Sequence, residues 1–161
     1  METDIGSFTS EYEGVRHGTL RLLEIMAKHT AVATYFWTGH AAENNPAEVM
    51  QVKNAGHETA CHSLVHETLG DPIFPLPNNW PVFPFEVEGR IREATRLVEK
   101  VSGIRPVSFR CPRLWGSTQV TNVLEELGYK ADATPAAHFF LAVSKQIPQG
   151  DTKGSGLVIV S

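Results

Sequence analysis

The hydrophobic residues of the chain follow two periods that alternate along the sequence. In Val15–His29 the apolar residues recur at helical spacing with charged residues between them, which predicts a helix. Residues 31–37 are a β-branched and aromatic run of strand length, and Thr38-Gly39 is expected to end that strand. A helix followed by a strand is therefore the first unit that the pattern predicts.

The same pattern repeats to the end of the chain. Asn45 and Pro46 have the residue types of a helix cap and of a first helical position, and Gly56 is a natural end for that helix. The remaining predicted elements are a strand at 57–61, a helix at 85–102, a strand at 107–110, a helix at 118–127, a strand at 129–133 and a final strand at 156–160. Strands that alternate with amphipathic helices indicate an α/β fold with a parallel sheet, either open or closed into a barrel.

The loop before the long predicted helix is the most irregular part of the pattern. Residues 71–84 contain five prolines, which makes the segment stiff and interrupts regular hydrogen bonding. Loops that follow the carboxyl ends of strands in α/β folds are where active sites are assembled. We therefore expect this loop to form one wall of a substrate cleft.

Composition narrows the classes of function. With 161 residues, of which 42% are hydrophobic, the chain can form one compact core, so a single domain is expected. The net charge of −4 and the scattered basic residues argue against a nucleic-acid partner. No apolar run reaches membrane-spanning length and the first residues, 1–4, are acidic, so the chain as given is expected to be cytoplasmic, with no membrane partner. Two cysteines, Cys61 and Cys111, are too few for a disulfide framework.

The main chemical signal is His62-Ser63-Leu64-Val65-His66, which leaves the second predicted strand. Two imidazoles four residues apart can converge on one metal ion if the turn between them is helical. The pair alone is a weak signal, because a single histidine more often has a solvated or hydrogen-bonded structural role. Arg110 strengthens it, since the end of the next predicted strand would place this residue on the same face of the sheet as the histidines.

The segment Phe-Arg-Cys-Pro-Arg-Leu-Trp-Gly at 109–116 completes a set of motifs in which the chain resembles the polysaccharide deacetylase (NodB-homology, carbohydrate esterase) family. His62–His66 resembles the family's His-Ser/Thr-x-x-His motif, and residues 110–112 resemble its Arg-x-Pro motif. The flanking segments 33–39, 45–46, 56–58 and 128–132 resemble the family's ATFFxxG, NP, GHE and GY..D elements. The resemblance covers about residues 2–134. It implies an α/β fold, a distorted (β/α) barrel that is incomplete in this chain, with parallel strands and amphipathic helices.

The resemblance implies a hydrolase that uses one divalent metal ion to break a carbon–nitrogen amide bond, deacetylating N-acetylated sugars or polysaccharides. By resemblance His62 and His66 are metal ligands, and Glu2 matches the position of the acidic ligand. The family's general base would precede Met1, so Asp4 is the fallback for either acidic role. Zinc is the metal expected first, with cobalt, nickel and iron as alternatives.

Two arginines complete the implied site. Arg110 resembles the arginine that pairs with the base and keeps it ionised, and the backbone N–H of Arg113 resembles the family's oxyanion donor. Trp115 is expected either to pack against a sugar ring or to fill the core. Cys61 and Cys111 adjoin the site in sequence, but strand alternation points them to the opposite side and makes them packing residues.

Two further family motifs do not appear in the sequence. These are an acid followed by tryptophan and a leucine-rich strand with a general-acid histidine, and residues 135–161 match the family poorly. We expect one partial deacetylase domain over residues 1–161, with unpaired strand edges through which it could oligomerise. Because the base and acid positions fall outside the chain, we expect no detectable deacetylation from it. The alternatives are a degenerate module that binds metal or glycan without turnover, and a gene model whose true start lies upstream.

Overall fold

A computed structural model describes residues 13–72, 81–134 and 158–159. The helices are α1 (Glu13–Lys28), α2 (Gly39–Asn44), α3 (Pro46–Asn54), α4 (Pro84–Ser102) and α5 (Thr118–Glu126), and the strands are β1 (Thr34–Trp37), β2 (Glu58–Cys61), β3 (Ser108–Phe109), β4 (Ala131–Asp132) and β5 (Val158–Ile159). The five strands lie side by side in chain order, and each pairs with the next in parallel. The predicted α/β fold with a parallel sheet is confirmed.

Helix α4 is the main element that covers the sheet. One stripe of its residues, spaced by three and four along the helix, is buried: Val87, Ile91, Ala94, Leu97 and Val98. The helix ends at Gly103, which has the left-handed backbone (φ 69°) that favours glycine at this position. α4 packs against β2 and against α2, α3 and α5. Among the helices of the described segments, none combines the length and apolar composition needed to cross a bilayer.

The register of the strands aligns their carboxyl ends. Trp37 pairs with Cys61, Cys61 with Phe109 and Phe109 with Asp132. The residues immediately after this row continue the ladder: the backbone N–H of His62 donates to the Trp37 carbonyl (2.8 Å) and that of Arg110 to the Cys61 carbonyl (3.1 Å). His62 and Arg110 are therefore neighbours along one rim of the sheet.

The interior contains two apolar clusters, and both cysteines lie in the first of them. Cys61 and Cys111 are fully buried free thiols. Burial away from water raises the pKa of the Cys61 thiol to about 11 and raises that of Cys111 as well, so both stay protonated near neutral pH. The prediction that the two cysteines are packing residues is confirmed.

The structure corrects the prediction around residues 38–46. A short helix, α2, follows β1 directly, and its N-cap is Thr38, whose hydroxyl accepts from the backbone N–H of Ala41 (3.1 Å). Pro46 begins α3 as predicted, but the side chain of Asn45 does not cap that helix; it donates to the Ala41 carbonyl of α2 (2.7 Å). Asn45 therefore occupies the predicted N-cap position of α3, but its side chain bonds to the end of α2 and makes no capping hydrogen bond to α3.

Candidate functional site

His62 is fixed by hydrogen bonds on its backbone and its ring. The residue is 2% exposed and directly follows β2. Its ring Nδ1 lies 2.7 Å from the carbonyl oxygen of Arg110 on the adjacent strand end. A carbonyl oxygen only accepts, so this bond places the ring proton on Nδ1 and leaves Nε2 of the neutral imidazole with its lone pair. That tautomer is the one a metal-ligating histidine needs when its other nitrogen is held by a protein oxygen.

His66 lies beside His62 in space, but no helical turn brings it there. The two ring centroids are 5.1 Å apart and the rings are tilted by 59°. Ser63 and His66 both have left-handed backbone (φ 64° and 65°), so the segment between the two histidines is an irregular turn. The condition of a helical turn is therefore not met, but the structure brings the two rings together by this other path.

The carboxylate of Glu67 closes this turn. One of its oxygens, Oε1, accepts from the Ser63 hydroxyl at 2.8 Å and from the Leu64 backbone N–H at 3.4 Å. The other, Oε2, accepts from the backbone N–H of Val65 at 2.7 Å. The residue types around the histidines did not indicate this role. The only sequence signal is an acid directly after the second histidine, beside backbone donors that a turn leaves unbonded.

Arg110 directly follows β3, next to His62 on the rim. Its guanidinium carbon lies 4.7 Å from the centroid of the Phe36 ring, within range of a cation–π interaction. Its Nε donates to the Ala133 carbonyl beyond β4 at 3.1 Å. The arginine is therefore oriented by a ring on β1, two strands away in the sheet, and by a carbonyl group directly after the adjacent β4. The base with which it is predicted to pair would lie outside the described residues.

The loop after β3 forms a tight turn over Pro112–Leu114. Arg113 and Leu114 both have left-handed backbone, with φ of 58° and 61°. The side chain of Arg113 donates from Nη1 to the His66 carbonyl at 2.8 Å and makes a long hydrogen bond to the Thr68 hydroxyl at 3.4 Å. Sequence reasoning assigned a role only to the backbone of Arg113, so this cross-loop contact was missed.

A buried carboxylate supports the start of the same loop. Asp132 Oδ1 accepts from the backbone N–H of Thr134 (2.9 Å) and from its hydroxyl, and the Thr134 oxygen accepts from the Cys111 backbone N–H (2.8 Å). Burial raises the pKa of Asp132 above its usual value, although the bonds from Thr134 and the charge of Arg110 act in the opposite direction. Trp115 is also buried, at 2% exposure, which agrees with the core-packing alternative for this residue.

The structure thus brings together four of the six predicted site residues: His62, His66, Arg110 and Arg113. Glu2 and Asp4 lie outside the described residues. Within residues 13–72, 81–134 and 158–159, no group of three or more His, Cys, Asp and Glu side chains could hold a metal ion. The described part supplies two adjacent imidazoles, one of them held in the ligating tautomer, which fits two of the ligands of a divalent transition metal.

These features define a class of protein: a parallel α/β sheet with a histidine pair and an arginine-bearing loop on the rim formed by its strand ends. The family model described as "Polysaccharide deacetylase" matches residues 6–131. The chain therefore belongs to the polysaccharide deacetylase family, and its described strands form part of the distorted (β/α) barrel of that family.

Individual relatives agree with this assignment. The chain is 31% identical over 113 residues to a chitooligosaccharide deacetylase of Azorhizobium caulinodans, covering 70% of this chain and 49% of the relative. It is 28% identical over 116 residues to a peptidoglycan deacetylase of Helicobacter pylori, covering 71% of this chain and 36% of the relative. The chain therefore spans half or less of the length of these curated relatives.

Two solved structures show the fold. Puue allantoinase superposes with a TM-score of 0.69 at 17% identity, over 96% of this chain and 46% of that protein. A CE4 family pseudoenzyme from Bacillus anthracis superposes with a TM-score of 0.63 at 18% identity, over 89% of this chain and 50% of that protein. At these identities the likeness extends to the architecture alone.

Proposed function

We propose that this chain forms the metal-binding part of a hydrolase that removes acetyl groups from N-acetylated saccharides. The observation that carries the proposal is the hydrogen bond from His62 Nδ1 to the Arg110 carbonyl, with the ring of His66 centred 5.1 Å from that of His62. That contact joins one of the two proposed ligands to the start of the loop that would face the substrate. The chitooligosaccharide and peptidoglycan deacetylases among the relatives support an N-acetylated glycan as the substrate class.

His62 and His66 would hold the metal, with a carboxylate from Glu2 or Asp4 as the third ligand. Zinc is the first candidate, since two imidazoles and one carboxylate suit it, and cobalt, nickel and iron share this preference. When bound, such an ion lowers the pKa of a coordinated water and polarises the acetamide carbonyl.

Residues that follow β3 would stabilise the negative charges of the reaction. Arg113 and Leu114 have left-handed backbone in a tight turn, and the Arg113 N–H of this turn would donate to the oxyanion. Arg110, held between Phe36 and the Ala133 carbonyl, would keep the carboxylate of the base ionised by its positive charge.

The test is acetate release from N-acetylglucosamine oligomers in the presence of zinc or cobalt. The 161-residue chain would be compared with a form extended at both ends to the length of the relatives, and each with its His62→Ala variant. We expect acetate from the extended form only, its loss in the His62→Ala variant and its loss on treatment with a chelator. Acetate release that survives both the variant and the chelator would exclude the proposed metal site.

A second candidate is a module that binds metal or glycan without turnover. The same experiment separates the two functions. If the extended form binds one metal ion through His62 and His66 yet releases no acetate, the non-catalytic function is supported in place of the hydrolase.

A further inference from the structure

The turn that carries His66 is strained. Ser63 and His66 are not glycines, yet both have left-handed backbone, at φ 64° and 65°. This region is disfavoured for residues with a Cβ and persists only where surrounding groups fix it. The turn therefore needs partners that hold it in place, and two side chains with no role implied by the family resemblance contact it: Glu67 and the guanidinium of Arg113.

Glu67 holds the middle of the turn with both of its oxygens. Its shortest contacts are from the Val65 backbone N–H at 2.7 Å and from the Ser63 hydroxyl at 2.8 Å. Bonds from backbone N–H groups to an ionised carboxylate are stronger than neutral ones. The carboxylate thus ties together the residues between the two histidines.

Arg113 holds the end of the turn. Its Nη1 donates to the carbonyl oxygen of His66 itself, at 2.8 Å. The backbone of His62 is already fixed by its bond to Trp37 of β1, and its ring by the bond to Arg110. The distance between the two histidines therefore depends on the position of His66. Glu67 restrains the position of His66 from within the turn, and Arg113 restrains it from the neighbouring loop.

We propose that Glu67 and Arg113 are positioning residues that set His66 against His62 before a metal ion binds. The inference rests on the proposed metal site and deepens it. The two side chains would act through the turn, since the oxygens of Glu67 already accept from it and the guanidinium of Arg113 contacts the His66 carbonyl. Outer partners of metal-ligating histidines typically contribute about 10- to 100-fold to metal affinity.

The experiment measures the zinc affinity of the 161-residue chain by competition with a chromophoric chelator. Glu67→Gln keeps the length of the side chain and one acceptor oxygen but removes its charge, while Glu67→Asp keeps the charge and shortens the reach. We expect about a 10- to 100-fold loss in Glu67→Asp and a smaller loss in Glu67→Gln. If Glu67 attracts the ion only through its charge, the order of the two variants is reversed and the positioning role is excluded.

Arg113→Met gives an independent test with the opposite electrostatic sign. Removing a positive charge near a cation site should strengthen zinc binding if charge alone matters. Loss of the bond to the His66 carbonyl should instead weaken it by about 10-fold or more. Stronger or unchanged binding in Arg113→Met would overturn the role of this residue.

Controls separate this inference from the metal site itself. Glu58→Ala is the matched control, because Glu58 also accepts a hydroxyl hydrogen bond, from Thr34 at 2.6 Å, but lies at the opposite end of β2. Its zinc affinity should equal that of the unmodified chain, and circular dichroism should show native-like thermal transitions for every variant compared. If the unmodified chain binds zinc no better than His62→Ala, the metal site and this inference fall together. If the unmodified chain binds zinc more tightly than His62→Ala does, but the Glu67 and Arg113 variants have the same zinc affinity as the unmodified chain, the inference alone fails.

Discussion

The ring Nδ1 of His62 and the carbonyl oxygen of Arg110 are joined by a 2.7 Å hydrogen bond between the ends of adjacent strands. This contact links the histidine motif to the arginine motif, which lie 48 residues apart in the chain. Because it selects the tautomer of His62, it also determines which ring nitrogen can ligate a metal. The first prediction depends on that nitrogen.

The purified chain is expected to bind about one divalent transition metal, and His62→Ala or His66→Ala should abolish the binding. Cys61→Ser should retain it, because Cys61 lies in the apolar core with a thiol pKa raised to about 11. The measurement is metal content by mass spectrometry after exhaustive dialysis. Loss of metal in the Cys61→Ser variant, with the fold intact, would contradict the ligand assignment.

Gly70→Ala should destabilise the fold, because the loop after the histidine turn approaches the loop after β3 at this residue. A Cβ on Gly70 would lie 2.4 Å from the backbone carbonyl of Gly116, so one of the two backbones would have to shift. We expect a loss of about 1–3 kcal/mol in the free energy of unfolding, measured by urea denaturation. Gly89→Ala in α4 is the control, since nothing lies within 4 Å of its Cβ position and alanine favours the helix. A Gly70→Ala variant as stable as the unmodified chain would show that the loops separate freely.

Asp132 should make stability depend on pH in the direction opposite to that of an ion-paired carboxylate. Burial raises its pKa, so the folded chain holds this proton more tightly than the unfolded chain. The resulting stabilisation is complete below the unfolded pKa, about 4, and is lost as the pH rises through the folded value. The stability of the unmodified chain relative to Asp132→Asn should therefore fall as the pH is raised above about 4. Urea denaturation of both chains between pH 4 and 7 measures this difference in the free energy of unfolding. A relative stability that rises with pH would mean that Thr134 and Arg110 outweigh burial.

Thr38→Ala should weaken the N-terminus of α2. The variant loses the hydrogen bond from the Ala41 N–H to the Thr38 hydroxyl, and such caps are typically worth about 0.5–2 kcal/mol. Thr38→Ser keeps the hydroxyl and should stay close to the unmodified chain. The midpoint of urea denaturation distinguishes the two variants, and equal midpoints would indicate that the cap contributes nothing.

The periodic elements were predictable from the sequence, while their ends were less so. α1, α4 and α5 carry clear apolar stripes or end near glycine, and each appears within about two residues of its prediction. α2 has no such stripe, because its sequence Gly-His-Ala-Ala-Glu-Asn shows no apolar period beyond two alanines. β3 and β4 are two residues long, shorter than predicted, although backbone bonds from Lys130 and Ala133 join the same two segments on either side of the paired residues.

The site was predictable only as far as residue types reveal it. His62, His66 and Arg110 stand in recognisable motifs, and the structure places them together. The contacts of Glu67 and of the Arg113 side chain depend on left-handed backbone at residues other than glycine. Residue type gives no sign of that conformation in such cases, because it is imposed by tertiary contacts.

The order of the strands bears on how this scaffold can diversify. The five described strands occur in the sheet in the same order as in the chain, so no reversal of order creates a central crevice of the kind in which open α/β sheets bind ligands. The turns after β2, β3 and β4 instead follow one another along a single rim. An exposed position in these turns, such as Val65, can be substituted without contact to the core, whereas Leu64 and Leu69 pack in the same apolar cluster as α4. Descendants of one such sheet can therefore acquire new specificities at the exposed positions of the rim, while the buried positions of the same turns are constrained by the core.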